Sequence, residues 1–220
     1  MLTQPTNVNG PHQGLSIATT GRALNEAKAA MILVHGRGAS APSILGLAQE
    51  FKNDQFAYLA PPARGNTWYP YSFLNPLSDN QPGLDSGLQA IADLVAHIEA
   101  ADIPAEKILI GGFSQGACLA MEFVARNAKR YGGAFAYSGG VIGPLGMTRQ
   151  YSGSLNGTPI FLGCSDVDFH IPVERVHETA ELMTALGGNV TKNIYPQMGH
   201  TINMDEISHV QAIMNEIASA

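Results

Sequence analysis

The feature that most constrains the fold is a short strand-type run joined to a helix-type run by a tight glycine-rich turn. The segment from Lys107 to Ala120 reads KILIGGFSQGACLA, and its turn has the pattern Gly112-x-Ser114-x-Gly116. This pattern is typical of a nucleophile elbow, in which a serine occupies a strained turn at the N-terminus of a helix. Glycine is expected on both sides because a Cβ there would strike the neighbouring strand or helix. Ser114 is therefore a candidate nucleophile.

Strand-type and helix-type segments alternate along the chain, which predicts a mainly parallel sheet with helices on both faces. Apolar runs predict strands over 15–19, 29–34, 55–60, 107–111, 135–138, 159–163 and 190–195. Apolar residues at helical spacing predict helices over 42–51, 84–98, 173–186 and 207–217, besides the one that follows Ser114. No repeat or linker interrupts the pattern. We expect a single domain over 1–220, with a polar N-terminal extension at 1–14.

Composition excludes several classes of protein. Hydrophobic residues make up 45% of the chain and charged residues 14%, and the net charge is −6 without any cluster of basic residues. This argues against binding nucleic acid or anionic membranes. The two cysteines, Cys118 and Cys164, suit a reducing compartment, and no segment predicts a signal peptide or membrane insertion. We expect a cytoplasmic protein.

Candidate catalytic groups follow the predicted strands, at the edge of the sheet where sites form in open α/β folds. His200 lies in the loop after the last strand and can serve as a base for Ser114, which is a poor nucleophile on its own. The other histidines fall within helices, in the polar N-terminal segment or elsewhere in these loops. His35 directly ends a strand, and we interpret it as a structural residue of its loop.

A serine mechanism also needs an acid behind the histidine and donors for the oxyanion. Asp166 and Asp168 both follow the sixth predicted strand, and the residues alone leave open which of them faces the base. The oxyanion donors are expected to be the backbone N–H of Gln115, directly after the nucleophile, and the N–H of Arg37 between two glycines. The Arg37 guanidinium is expected to be exposed to solvent.

Four segments together resemble the phospholipase/carboxylesterase family, the branch of α/β-hydrolases that includes acyl-protein thioesterases. They are LVHGRG at 33–38, GFSQG at 112–116, DFHIP at 168–172 and GH at 199–200. The resemblance extends from about residue 31 to the C-terminus. It implies a small α/β-hydrolase without a large cap domain, a Ser-Asp-His triad, and esterase or thioesterase activity.

The resemblance also bears on the choice of acid. The family's aspartate lies four residues before a proline that opens the next helix, and Asp168 has this spacing to Pro172. The chain departs from the family where Phe169 replaces the usual proline. The predicted triad is therefore Ser114, Asp168 and His200.

Substrate contacts are less defined by sequence. Trp68 matches the family's aromatic segment beside the cleft, but packing of its loop onto the sheet explains it equally well. Leu74, Met147 and the loop at 139–157 are candidates for lining an acyl pocket.

We therefore expect hydrolysis of carboxylic esters with small or medium acyl or aryl groups, and a small-molecule ester as the partner. Lysophospholipase and acyl-protein thioesterase activity are alternatives. A different class, metal-dependent hydrolysis, is suggested by Asp166, Asp168 and His170, although further ligands are not evident. A non-catalytic scaffold is disfavoured by the full set of catalytic groups. The serine mechanism needs no cofactor or metal, and the oligomeric state stays open, a homodimer included.

Overall fold

Parallel pairing dominates the sheet, as the alternating pattern predicts. In the computed structural model, which describes residues 8–219, seven strands pair in the order β1-β3-β2-β4-β5-β6-β7, and only the β1–β3 pair is antiparallel. Their bounds are Ala18–Gly21 (β1), Ala29–Val34 (β2), Phe56–Ala60 (β3), Ile108–Phe113 (β4), Gly133–Tyr137 (β5), Pro159–Ser165 (β6) and Asn189–Tyr195 (β7). The elbow strand β4 lies at the centre of this sheet.

Strand β2 shows why the central strands are apolar on both sides. Ile32 and Val34 belong to the core on one face of the sheet, whereas Met31 and Leu33 belong to the core on the other. All six residues of the strand are buried. Side chains alternate across a strand, so a strand covered on both faces must be apolar throughout.

The helices cover both faces of the sheet. Their bounds are Ala41–Ile44 (α1), Gly83–Glu99 (α2), Gln115–Arg126 (α3), Val173–Ala185 (α4) and Met204–Ser219 (α5). Helices α2, α3 and α4 contribute to one core, and α1 and α5 to the other. Within residues 8–219, no helix is both long and apolar enough to cross a bilayer. The predicted single-domain α/β fold is confirmed.

Two predicted elements differ from the structure. The helix expected over 42–51 consists of α1 followed by a 3-10 turn at Leu45–Gln49. Ser40 caps α1 by accepting the Ser43 N–H, and Gly46 disfavours continuation of an α-helix. The edge strand expected over 15–19 lies at Ala18–Gly21, because its register is set by pairing with β3 rather than by its own side chains.

A buried histidine makes several of the hydrogen bonds that join the N-terminal segment to the domain. The first seven residues of the segment lie outside the described range, but His12 is buried against the aromatic loop. Its Nε2–H donates to the Trp68 carbonyl at 2.9 Å, and its Nδ1 accepts the Arg64 N–H at 3.1 Å. The hydroxyl of Ser86 accepts the His12 N–H at 2.9 Å. Residues 10–13 of the predicted polar extension therefore pack against the fold.

Candidate active site

The turn at Ser114 has the strained backbone that the sequence pattern predicts. Ser114 has φ 56° and ψ −123° and stands at the N-cap position of α3. A Cβ on Gly112 would lie 2.2 Å from the Val34 carbonyl oxygen, and one on Gly116 would lie 2.1 Å from the same atom. The three elements β2, β4 and α3 therefore meet so closely that both positions require glycine. Ser114 is half-buried at the end of the sheet and lines the cleft there.

His200 lies between the serine hydroxyl and a carboxylate. Its Nε2 is 2.9 Å from Ser114 Oγ, and its Nδ1 is 2.7 Å from Asp168 Oδ2. Because an ionised carboxylate only accepts, Nδ1 carries the proton and Nε2 accepts the serine O–H. The imidazole packs against the Phe113 ring at a centroid distance of 4.8 Å. The ring is thus held in the tautomer that a general base needs.

Asp168 is buried, and both of its oxygens are used. Oδ2 accepts from His200, and Oδ1 accepts the N–H groups of His170 at 2.8 Å and Ile171 at 3.0 Å. Burial alone would raise the pKa of this carboxyl, but the hydrogen bonds from His200 and the two amides outweigh it and hold the pKa below its usual value. Asp168 is therefore ionised behind the imidazole at neutral pH.

The neighbouring aspartate has a different role. Asp166 is exposed, and its Oδ1 accepts the Gln197 N–H at 2.8 Å, which joins the loop after β6 to the loop that carries His200. Within residues 8–219, no three His, Cys, Asp or Glu side chains are grouped as metal ligands. Asp166, Asp168 and His170 therefore do not form the metal site suggested by their spacing, because their oxygens are directed to backbone amides and to His200.

Two backbone amides are placed beside the serine. The N–H of Gln115 is in the first turn of α3 and has no acceptor within the helix. A Cβ on Gly36 would lie 3.4 Å from Ser114 Cβ, so the loop after β2 lies directly against the nucleophile. In that loop the amides of Gly38 and Ala39 donate to backbone carbonyls. The N–H of Arg37, directly before them in the chain, is paired with no backbone acceptor of residues 8–219.

The Arg37 side chain is exposed, as the sequence predicts, but it also forms hydrogen bonds to the neighbouring loop. Its guanidinium donates to the carbonyls of Pro70 at 2.9 Å and Tyr71 at 2.7 Å and lies 6.0 Å from the centre of the Tyr69 ring. The fixed fork of donors in arginine matches two adjacent carbonyls. Arg37 therefore ties the loop after β2 to the aromatic loop on the other side of the cleft.

The Gln115 side chain has a structural role that the sequence analysis missed. Its carboxamide accepts the Trp68 N–H at 3.0 Å and donates to the Tyr69 carbonyl at 2.9 Å. It therefore connects the aromatic loop to the first turn of α3. The only available signal was the long irregular loop itself, since backbone groups in such a loop need partners from elsewhere.

A cleft of about 510 Å³ opens at the serine. Its walls are mainly apolar and include Tyr69, Phe73, Phe113, Cys118 and Ile171, together with Arg37, Tyr71, His170, Ser114 and His200. Burial raises the pKa of the Cys118 thiol to about 12, so this wall residue is a protonated thiol and no rival nucleophile. A larger groove of about 890 Å³ beside β1 contains none of the predicted site residues.

The three predicted substrate contacts do not line this cleft. Trp68 is fully buried behind it, and its indole N–H donates to the His35 carbonyl at 2.9 Å. Leu74 packs on the edge of a core, and Met147 lies beside Gly143. Trp68 therefore packs its loop onto the sheet, as one of the two interpretations held. His35 has the structural role expected of it, since its Nε2 accepts the Ala63 N–H at 3.2 Å.

Comparison with known proteins places the chain in a family. The sequence profile of the phospholipase/carboxylesterase family matches residues 16–217. Acyl-protein thioesterase 1 from Debaryomyces hansenii is 31% identical over 215 residues, which cover 87% of this chain and 92% of that protein. A probable carboxylesterase SOBER1-like protein from Arabidopsis thaliana is 26% identical over 208 residues, covering 86% of this chain and 79% of its own.

Solved structures show the same similarity. The crystal structure of a phospholipase/carboxylesterase from Dyadobacter fermentans has 41% sequence identity and a TM-score of 0.86, with 99% of each chain covered. The Bacillus cereus carboxylesterase, at 18% identity, shares the fold with a TM-score of 0.72 over 93% of this chain and 95% of its own. The chain therefore belongs to the phospholipase/carboxylesterase family of α/β-hydrolases and is a hydrolase of the carboxylesterase and thioesterase type.

Proposed function

We propose that the chain is a serine esterase in which Ser114 is the nucleophile, His200 the general base and acid, and Asp168 the orienting carboxylate. The supporting observation is the continuous hydrogen-bonded line through these groups, 2.9 Å from Ser114 Oγ to His200 Nε2 and 2.7 Å from His200 Nδ1 to Asp168 Oδ2. A base bonded to the nucleophile and oriented by a third group is the general signature of this chemistry.

The proposed reaction has two halves. Ser114 Oγ attacks the ester carbonyl while His200 Nε2 takes its proton, and the amides of Arg37 and Gln115 donate to the oxyanion. The tetrahedral intermediate collapses, the alcohol leaves with the proton from His200, and an acyl-enzyme remains. Water then attacks the acyl-enzyme with His200 as base, which releases the acid and restores the serine. Asp168 stays ionised and stabilises the imidazolium in both halves.

The proposed substrates are carboxylic esters with small or medium acyl or aryl groups. The cleft of about 510 Å³ has an inner wall of apolar side chains, among them Tyr69, Phe73 and Ile171. Burying apolar surface stabilises a complex by about 25 cal/mol per Å², so such a wall favours an apolar acyl group over a charged one.

A thioester substrate is the second candidate. Relatives that cover most of this chain are named acyl-protein thioesterases, and one of them is 31% identical. The same triad attacks a thioester carbonyl, and a thiolate is a better leaving group than an alkoxide. The length of acyl chain that the cleft admits distinguishes a short-chain esterase from an acyl-protein thioesterase.

A chain-length series tests both. Rates are measured for p-nitrophenyl esters from acetate to palmitate, a lysophospholipid and a palmitoyl thioester, with the wild type and Ser114→Ala. We expect the highest kcat/KM among the shorter esters, and a loss of at least about a thousand-fold in the variant with the fold unchanged by circular dichroism. Retained turnover in the variant would contradict the mechanism. A clear preference for the palmitoyl thioester would favour the second candidate.

We also propose a cytoplasmic location. Both cysteines, Cys118 and Cys164, are buried free thiols, which suits a reducing compartment. Cell fractionation with an antibody against the chain tests this, and recovery from the secreted or membrane fraction would contradict it.

A further inference from the structure

The cleft has an exposed aromatic side chain at its rim. Phe169 is 78% exposed, although it follows the buried Asp168 directly in the chain. Its ring centre lies 4.3 Å from that of His170 and 6.2 Å from that of His200. A phenylalanine exposed to this degree buries little apolar surface and so adds little to the stability of the fold. Its position beside the base calls for a different explanation.

The backbone around Phe169 is fixed rather than free. Asp168 Oδ1 accepts the N–H groups of both His170 and Ile171, the next two residues after Phe169. Ile171 is buried, and Pro172 precedes the first turn of α4. The loop is therefore anchored on both sides of the phenylalanine, which lowers the entropy cost of ordering this segment when a ligand binds.

The rings of Phe169, His170 and His200 form a cluster beside the cleft, with Phe169 close to both histidines. The His170 ring meets the His200 ring edge-on, at a centroid distance of 4.7 Å and an interplanar angle of 69°. The Phe169 ring is tilted by 46° against His170 and its centre lies 6.2 Å from that of His200. His170 lines the cleft, so Phe169 extends that wall beyond the cavity.

The chemistry of the base indicates which part of a substrate meets this cluster of rings. In the proposed mechanism His200 Nε2 gives its proton to the leaving alcohol, so the alcohol must lie against His200. The oxyanion points to the amides of Arg37 and Gln115, and the acyl group takes the inner cleft. A wall that continues outward from His200 therefore faces the leaving group.

We propose that Phe169, together with His170, forms a platform that binds a flat, apolar leaving group, such as an aryl or benzyl alcohol, and so sets the alcohol specificity of the enzyme. This rests on the proposed serine esterase function. Aromatic groups pack well on a phenylalanine face, and such pairs contribute beyond the area that they bury. Phe169 touches no reacting atom, so its role is in specificity.

Paired acetate esters test the proposal because they share one acyl group. Values of kcat/KM are measured for benzyl acetate and ethyl acetate with the wild type, Phe169→Ala and Phe169→Tyr. We expect the benzyl-to-ethyl ratio to fall about ten-fold in Phe169→Ala, mainly through a higher KM for the benzyl ester, and to be kept in Phe169→Tyr. Val167→Ala is the matched control, since Val167 is 46% exposed in the same loop without a ring contact to His200 or His170, and it should leave the ratio unchanged.

A pair of ethyl esters with different acyl groups tests whether the platform contacts the alcohol or the acyl side of the substrate. The ratio of ethyl hexanoate to ethyl acetate should be the same in the wild type and Phe169→Ala, because the acyl group lies on the other side. A benzyl-to-ethyl ratio within two-fold of wild type, an equal fall of kcat for both esters, or a changed acyl preference instead would overturn the proposal. Turnover retained by Ser114→Ala, or a wild type that hydrolyses neither ester, would overturn the proposed function and the platform together.

Discussion

At the residue scale, two aspartates only two positions apart differ in what they contact. Asp168 is buried and faces His200, whereas Asp166 is exposed and accepts an amide from the loop that carries His200. The residues alone left this choice open, because either side chain follows β6 closely enough to reach the base. The turn after β6 decides it, since Asp168 Oδ1 also accepts the next two available N–H groups of its own loop.

This difference predicts unequal effects of the same substitution. Asp168→Asn should lower kcat for p-nitrophenyl acetate by about 10³- to 10⁴-fold, because an amide no longer stabilises the imidazolium or fixes the tautomer. Asp166→Asn should stay within about three-fold, since an amide oxygen still accepts the Gln197 N–H and the group does not touch the reaction. Equal losses in the two variants, with both folded, would refute this assignment of the acid.

At the element scale, the site depends on how closely β2, β4 and α3 approach one another. The carbonyl of Val34, the last residue of β2, lies within 2.2 Å of where a Cβ would stand on Gly112 or Gly116. No side chain can move away to relieve such a contact, because the crowded atom is backbone. The glycines of the elbow are thus needed for packing, and the positive φ is taken by Ser114 instead.

The effect of a methyl group at the elbow can be measured against another glycine. Gly116→Ala should reduce the free energy of unfolding by about 3 kcal/mol or more, at the upper end of overpacking costs. Gly46→Ala should change it by less than about 1 kcal/mol, and towards greater stability, because nothing lies within 4 Å of its Cβ position. Urea denaturation of both variants gives the comparison. Similar urea midpoints for Gly116→Ala and the wild type would contradict the inference that a Cβ at this position clashes with the Val34 carbonyl.

At the scale of the whole molecule, stability depends on a buried carboxyl at the start of α5. Glu206 is fully buried and forms a reciprocal cap with Asn203. Glu206 Oε2 accepts the Asn203 backbone N–H, and Asn203 Oδ1 accepts the Glu206 backbone N–H. Its Oε1 has no hydrogen-bond partner among the described residues. Burial raises the pKa of Glu206 from 4.5 to about 7, with a further small increase from Asp205 and an opposing effect of the Asn203 amide.

A raised pKa makes the folded state lose stability as the pH rises. The unfolded chain releases this proton near pH 4.5, whereas the folded protein holds it until about pH 7. The free energy of unfolding should therefore fall between these values by roughly 3 kcal/mol, at about 1.4 kcal/mol per pKa unit. Glu206→Gln should remove this slope, because it mimics the protonated form. Urea denaturation at pH 4.5, 6 and 8 measures how the free energy of unfolding changes with pH. The same pH dependence in Glu206→Gln and the wild type would contradict the prediction.

Sequence predicts this molecule best where local rules and tertiary packing agree. The buried parallel strands and the Gly112-x-Ser114-x-Gly116 turn follow from apolar runs and steric limits that any such fold must meet. Part of the helix predicted over 42–51 is a 3-10 turn, because Gly46 disfavours an α-helix there. Leu74 and Met147 do not line the cleft, and Trp68 packs behind it, because no local pattern encodes which side of a loop faces a cleft.

The most direct test of the account is labelling with a fluorophosphonate, which reacts with activated serines. The account predicts one adduct per chain, mapped to Ser114 by peptide mass spectrometry, absent in Ser114→Ala and formed much more slowly in His200→Ala. A folded, active protein that takes the label at another residue, or takes none, would contradict it.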